Sequence, residues 1–141
     1  MRCLLFLFFS PLLTSFTEIK SLPPPTAENH SSSKKVFYGI ASYYADKFNG
    51  RPTASGEIYS HKKLTAACNI LPLGTWVKVT NLRNNKFVIV KTNDRLHPRM
   101  KRIVDLSKSA ATALAYTGRG LTQVKVEVIE KNRAGTLKED K

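Results

Sequence analysis

Acidic residues are scarce in this chain. It contains 10 Asp and Glu against 23 Lys and Arg in 141 residues, and its formal net charge is +13 at pH 7. A charge of that size predicts an anionic partner, such as nucleic acid, anionic lipid or an acidic cell-wall polymer. Charge alone does not choose among these three.

Long apolar runs are also lacking. The apolar stretch at 4–13 follows Arg2, is too short to span a bilayer as a helix, and precedes Thr14 and Ser15. A positive end, a short apolar stretch and small polar residues are typical of a signal peptide, which we place at 1–16. We therefore expect an exported protein of the periplasm or cell envelope, without stable membrane insertion. A buried N-terminal strand is the alternative reading of this segment.

Cysteine is nearly absent, with only Cys3 and Cys68. Signal cleavage would remove Cys3 and leave Cys68 as the single thiol, which excludes an intramolecular disulfide. A lipid-anchoring cysteine should follow the apolar stretch, whereas Cys3 precedes it, so no lipid anchor is expected.

Residues 17–35 contain three consecutive prolines and three consecutive serines, which predicts a disordered linker. We expect one folded domain at 36–130 and a charged tail at 131–141.

The folded region shows mostly strand patterns. Alternating or β-branched residues predict strands over Val36–Tyr44, Trp76–Leu82, Phe87–Thr92 and Gln123–Glu130. Between the second and third of these, Asn84 and Asn85 suit a tight hairpin because Asn tolerates positive φ. A single short helix is predicted between a Ser107 cap and Gly118. Many short strands with one helix indicate a small barrel or sandwich.

Three carboxylates lie in motif-like stretches and are candidates for chemistry. Asp94 follows a predicted strand, where a positioned acid could protonate a leaving oxygen. An ion pair with Arg95 or a simple turn explains Asp94 equally well. Glu57 is either a site residue or an exposed loop carboxylate. Asp105 precedes the predicted helix and fits a structural role in helix capping.

The remaining unusual residues indicate no cofactor and no metal. Cys68, His61 and His97 match no compact ligand spacing, and Cys68 fits a small buried hydrophobe. Four aromatic residues could either line a sugar-stacking groove or fill the core: Tyr43, Tyr44, Tyr59 and Trp76.

Four segments, in this order, resemble the rare lipoprotein A (RlpA) family. They are GIASYYADKFNGRPTASGE, LTAACNILPLGTWVKVTNL, VKTNDR and RIVDLSKSAATAL, and the likeness extends over about 39–129. The resemblance implies a mainly β fold, a six-stranded double-psi β-barrel related to the expansins. It also implies lytic transglycosylase activity on peptidoglycan, which closes a 1,6-anhydro ring on muramic acid without water.

The resemblance assigns roles to individual residues. Asp94 falls at the family's catalytic aspartate in N-D-R, and Glu57 ends its T-A-S-G-E motif. The family has a histidine after T-A-A, where this chain has Cys68. We expect Asp94 and Glu57 to be catalytic. Substrate binding is expected from eight residues: Tyr44, Arg51, Thr53, Ser55, Cys68, Asn69, Asn93 and Arg95.

Two functions follow from these residues. The first is an endolytic peptidoglycan lytic transglycosylase that cleaves MurNAc–GlcNAc bonds of glycan strands. The alternative is a non-catalytic, expansin-like peptidoglycan-binding module, which Cys68 at the histidine position favours. Nucleic-acid binding would use the charge, but the predicted signal peptide and the lack of a recognised binding motif argue against it. A monomer is expected.

Overall fold

The computed structural model describes residues 34–130. The predicted signal peptide, the predicted linker up to residue 33 and the predicted tail at 131–141 lie outside the described residues, so those predictions and the domain bounds stay predictions.

The described residues form six strands: β1 (Val36–Tyr43), β2 (Thr65–Ala67), β3 (Trp76–Asn81), β4 (Phe87–Asp94), β5 (Val104–Leu106) and β6 (Thr122–Ile129). They close into one barrel in the order β1-β5-β2-β4-β3-β6. β1 pairs with β5, and β2 with β4, in parallel; the other four pairings are antiparallel. This mixed, closed barrel confirms the mainly β, six-stranded prediction.

Alternation along the longer strands fills the barrel. On β3, Val77 and Val79 are fully buried, and Val124 and Val126 on β6 pack into the same core. Val90 of β4 lies opposite Val77 in the ladder. Full burial of each such valine stabilises the fold by roughly 1.5–3 kcal/mol. The repeating valine pattern therefore accounts for the pairings of β3 with β4 and with β6.

One α-helix, α1 (Lys108–Ala113), packs against the barrel. Ser107 caps it, as predicted, by accepting a hydrogen bond from the Ala110 N–H. The predicted end at Gly118 is wrong. The helix stops at Leu114, where the side-chain amides of Asn81 and Asn84 both donate to the Leu114 carbonyl. These two donors take the place of the backbone N–H that a further turn of helix would supply to this oxygen.

The two short strands lie in stretches that the sequence pattern assigns to loops. β2 and β5 have three residues each, too few to display an alternation. β2 is wholly buried between β4 and β5, and its pairing with β4 shifts register between Ala66 and Ala67. Just past β2, the Cys68 N–H donates to the Asp94 carbonyl at 3.0 Å. The ends of β2 and β4 therefore lie side by side.

Candidate active site

Asp94 ends β4, and three donors hold its carboxylate. The Tyr44 hydroxyl donates to Oδ2 at 2.7 Å, while the backbone N–H groups of Ala54 and Arg95 donate to Oδ1 at 2.9 and 2.8 Å. Each carboxylate oxygen accepts about two hydrogen bonds. Oδ1 is therefore saturated by backbone, and Oδ2 keeps one position free for an incoming group.

Tyr44 is itself held in an aromatic cluster. Its ring stacks on Tyr59 with centroids 4.3 Å apart and an interplanar angle of 27°, and it meets the edge of Phe48 at 5.9 Å. Burial, and then the hydrogen bond to the Asp94 carboxylate, raise the pKa of Tyr44 far above its ordinary value. The phenol therefore stays protonated and acts as a donor to Asp94.

A tight turn at 53–57 brings the Ala54 N–H to Asp94. The Thr53 N–H donates to the Glu57 carbonyl, and the Thr53 carbonyl accepts from the Gly56 N–H, so these two bonds close the turn. Gly56 adopts a φ of 85°, a backbone conformation that favours glycine. The Thr53 hydroxyl also reaches the Ser55 hydroxyl and the Glu57 carbonyl. The turn docks on β4 through Ser55, whose N–H donates to the Asn93 carbonyl at 3.0 Å.

The Glu57 carboxylate lies at the end of this turn and is paired with β4. Lys91 Nζ approaches Oε1 at 2.9 Å, and Asn93 Nδ2 donates to Oε2 at 3.0 Å. The hydrogen bond from Asn93, followed by that from Lys91, lowers the pKa of Glu57. Glu57 is therefore an anion at neutral pH. Lys91 was not among the predicted site residues, although its spacing of two from Asn93 places both on one face of the strand.

Cys68 turns away from the site. Its side chain is 1% exposed and belongs to the core cluster, and burial raises the pKa of its thiol. Its predicted burial as a small hydrophobe is confirmed. Any role of Cys68 at the site is exercised through its backbone, whose N–H holds the Asp94 carbonyl and whose carbonyl accepts from the Arg95 guanidinium.

Two polar residues next to Asp94 bind backbone groups. The Arg95 guanidinium donates to the Cys68 and Leu71 carbonyls. It therefore braces the loop after β2, and the alternative of an Asp94–Arg95 side-chain ion pair is wrong. Asn69 exchanges two hydrogen bonds with the backbone of Leu96, at 2.9 and 3.0 Å. Together they tie the loop after β2 to the segment after β4.

Cationic side chains lie beside the aromatic cluster. The Arg51 guanidinium lies 5.5 Å and Lys47 Nζ 5.3 Å from the centre of the Phe48 ring. Both cations are exposed, and Phe48 contacts Tyr44. Of the predicted substrate-binding residues, Arg51 is exposed and its guanidinium is bound to no carboxylate among residues 34–130, whereas Thr53 and Asn93 are buried.

Asp105 has a structural partner, but not the predicted one. Arg102 binds its carboxylate with two hydrogen bonds, at 2.8 and 3.0 Å. The predicted capping role is wrong because Ser107 caps the helix.

Within residues 34–130, no group of three or more His, Cys, Asp or Glu side chains is placed to hold a metal ion. Over the same range, no helix is both long and apolar enough to cross a membrane.

Sequence comparisons match most of the described chain. The model of a family described as lytic transglycolase matches residues 36–126. The endolytic peptidoglycan transglycosylase RlpA of Pasteurella multocida is 46% identical over 120 residues, which is 84% of this chain and 40% of that protein. The Haemophilus influenzae protein of the same name is 40% identical over 119 residues, 84% of this chain and 42% of its own. The chain thus spans about two fifths of these curated relatives.

Solved structures share the barrel at low sequence identity. The Streptomyces papain inhibitor superposes with a TM-score of 0.56 at 23% identity, over 68% of this chain and 96% of its own. An expansin of Clavibacter michiganensis gives a TM-score of 0.53 at 18% identity, over 69% of this chain and 52% of its own. These likenesses support the fold alone.

Proposed function

Because the chain belongs to the lytic transglycolase family of double-psi β-barrels, we propose that it is an endolytic peptidoglycan lytic transglycosylase. Its substrate would be the glycan strand, cleaved between MurNAc and GlcNAc. Two observations support this: the relatives' names describe that activity, and Asp94 presents one oxygen of a rigidly held carboxyl group. The proposal rests mainly on the hydrogen bonds that fix the Asp94 carboxyl group.

Asp94 would act first as an acid. With its proton on Oδ2, it donates to the glycosidic oxygen as the bond from that oxygen to C1 of MurNAc breaks, and GlcNAc leaves with a free 4-hydroxyl. Oδ1 cannot serve, since the Ala54 and Arg95 N–H groups occupy it. The fixed orientation therefore selects the oxygen that meets the leaving group.

The same carboxylate would then act as a base. The 6-hydroxyl of the MurNAc residue attacks C1, and its proton passes to Asp94 Oδ2, which restores the acid form. No water is consumed and no proton is left over. A second catalytic carboxylic acid is not required, which agrees with Glu57 being tied as an anion to Lys91 and Asn93. Glu57 would assist by fixing the turn that presents Ala54.

The surface around the site suits an anionic polymer. We assign direct contact with glycan to Arg51 at the rim, beside Phe48 and Lys47. The other predicted binding residues contribute by shaping the site, through Tyr44, Thr53, Ser55, Cys68, Asn69, Asn93 and Arg95. A peptidoglycan substrate places the protein in the cell envelope, and the periplasm is the compartment that we propose. The net charge of +13 would favour salt-sensitive attraction to the wall.

One observation favours a second function, a non-catalytic peptidoglycan-binding module. Cys68, at the position where the family has histidine, directs its side chain into the core, and this side chain supplies no polar group to the Asp94 carboxylate. A binding module would retain the barrel and the basic rim without cleaving glycan.

The two functions separate in one experiment. The protein and its Asp94→Asn variant are incubated with purified peptidoglycan; bound protein is measured by co-sedimentation and soluble products by mass spectrometry. Asp94-dependent release of 1,6-anhydro fragments supports the enzyme. Equal binding by both proteins with no release supports the module and contradicts the enzyme.

A further inference from the structure

His61 is fixed on the side of the aromatic cluster away from Asp94. Its backbone N–H donates to Asn49 Oδ1 at 3.2 Å, and its carbonyl accepts from the Ser109 N–H at 3.0 Å. Its ring Nδ1 lies 2.9 Å from the Tyr59 hydroxyl oxygen, and the two rings meet at 89°. Contacts with the start of α1 and with the loop after β1 therefore hold the imidazole against Tyr59.

A carboxylate sets the direction of the hydrogen bond between Tyr59 and His61. His61 Nε2 lies 3.2 Å from Asp46 Oδ1, close enough for electrostatic attraction but not aligned as a hydrogen bond. The hydrogen bond from Lys108 lowers the pKa of Asp46, which stays anionic. This anion favours the tautomer with its proton on Nε2, so Nδ1 accepts from the Tyr59 hydroxyl.

Tyr59 transmits this restraint to Tyr44. It is buried at 3% exposure, so its ring has little room to move unless its neighbours move with it. Its face stacks on Tyr44 at 4.3 Å, and the Tyr44 hydroxyl holds Asp94 Oδ2 at 2.7 Å. A change in the tilt of Tyr59 would therefore change the position from which Tyr44 donates.

We propose that His61 is a positioning residue for Asp94, acting through the stacked rings of Tyr59 and Tyr44. The proposal rests on the proposed function, since it treats Asp94 as the reacting group. His61 touches neither Asp94 nor the open side of the carboxylate. Its effect is on geometry alone, and a misplacement of 1 Å can cost about a hundredfold in rate.

Steady-state cleavage of peptidoglycan by four variants tests the role. His61→Leu removes the acceptor and should lower kcat about tenfold with KM nearly unchanged. His61→Asn keeps a polar atom near the position of Nδ1 and should restore most of kcat. Tyr59→Phe should lower kcat at least as much as His61→Leu does, because it removes the hydroxyl from both His61 and the backbone of Lys108. The double variant should lower kcat no further than Tyr59→Phe, because the bond between Tyr59 and His61 is already lost in that single variant.

Tyr43→Phe is the matched control. It also deletes one tyrosine hydroxyl bond, from Tyr43 to the Thr117 carbonyl at 2.9 Å, but on a ring that pairs with Tyr116 rather than with the aromatic cluster of Asp94. Its kcat should match that of the unsubstituted protein.

A readout that needs no turnover keeps this test separate from the proposed function. With the tyrosines labelled at Cζ with ¹³C, the Tyr44 resonance should shift in His61→Leu, while the Tyr116 resonance stays in place. An unmoved Tyr44 resonance, or an unchanged kcat in folded His61→Leu, would overturn the proposal. So would a loss of kcat that tracks melting temperature and that His61→Asn does not restore. If the unsubstituted protein cleaves no glycan, the proposed function fails, and the resonance still decides whether His61 restrains Tyr44.

Discussion

The Tyr44 hydroxyl donates to Oδ2 of Asp94 at 2.7 Å, while two backbone N–H groups occupy Oδ1. The carboxylate therefore has one restrained oxygen with a free position, and Tyr44 is the one side chain among its three donors. The aromatic residues Tyr44, Phe48 and Tyr59 lie in the segment between β1 and β2, and β4 supplies the carboxylate. The first prediction concerns this bond.

Tyr44→Phe should lower kcat about tenfold to a hundredfold with little change in KM. A hydrogen bond to a charged group contributes roughly 1.5–3 kcal/mol, and each 1.36 kcal/mol in the barrier is about tenfold in rate. The phenylalanine ring can still stack on Tyr59, so the variant should fold, with a melting temperature lowered by the loss of this hydrogen bond. Product release measured over a range of glycan concentrations gives both constants. Equal activity of Tyr44→Phe and Tyr43→Phe would show that the bond is not used.

Glu57 should stabilise the fold in a pH-dependent way. Its pKa is lowered in the folded state, so its contribution is present above the ordinary glutamate pKa and is lost as the pH falls through the folded value. The difference in free energy of unfolding between the unsubstituted protein and Glu57→Gln should be constant from pH 6 to pH 8. It should shrink below about pH 4.5. Urea denaturation at each pH measures it.

Glu130→Gln is the control for that titration, because Glu130 is exposed at the end of β6. Its effect on stability should be small at every pH. A Glu57→Gln difference that grew on acidification would contradict the assigned ion pair with Lys91.

Arg95 should stabilise the fold through a single guanidinium nitrogen. Nη1 donates to both the Cys68 and the Leu71 carbonyls, and Arg95→Met keeps an unbranched side chain but removes both hydrogen bonds. We expect a loss of about 1–2 kcal/mol in the free energy of unfolding. Arg99→Met, at an exposed position nearby, should change stability by less than about 0.5 kcal/mol. Matching losses in the two variants would argue against this bracing role.

Asn81 should be one of the costliest polar residues to remove. Its buried amide donates to the Leu114 carbonyl and accepts from Thr122 Oγ1 and the Arg83 N–H. Asn81→Ala removes the acceptor of Thr122 Oγ1 and of the Arg83 N–H and leaves the Leu114 carbonyl with Asn84 alone, at about 1–3 kcal/mol for each unpaired group that stays buried. Asn84→Ala removes a second donor to the same carbonyl from an exposed position, and should cost under about 1 kcal/mol. Thermal denaturation of both compares them directly.

Regular patterns in the sequence predicted the long strands, and the burial of β3 and β6 repeats their alternation. β4 was predicted from its β-branched residues, and it is buried on both faces over 88–90. The Asn84–Asn85 hairpin follows from residue chemistry alone, and Asn85 adopts the positive φ of 58° that the prediction requires. β2 and β5 could not be predicted from a pattern, because a strand of three residues is too short to show an alternation. The end of α1 could not be predicted in this way either, since the deciding donors, Asn81 and Asn84, come from a distant hairpin.

The site was predicted only in part, for a related reason. Asp94 stands out because it follows a strand and lies in a motif. Its partners do not, since Ala54 contributes a backbone N–H that any residue could supply. The link from His61 through Tyr59 depends on how the segment between β1 and β2 folds back on itself. Such contacts arise from tertiary packing and leave no local pattern.

The most direct test of the account is the chemical form of the new muramic ends when peptidoglycan is cleaved in ¹⁸O-labelled water. The protein and Asp94→Asn are compared at equal concentration, after circular dichroism has shown that both are folded. Transfer through Asp94 predicts 1,6-anhydro-muramic ends that carry no ¹⁸O and that disappear in Asp94→Asn. Labelled reducing ends, or anhydro ends that persist in the variant, would contradict it.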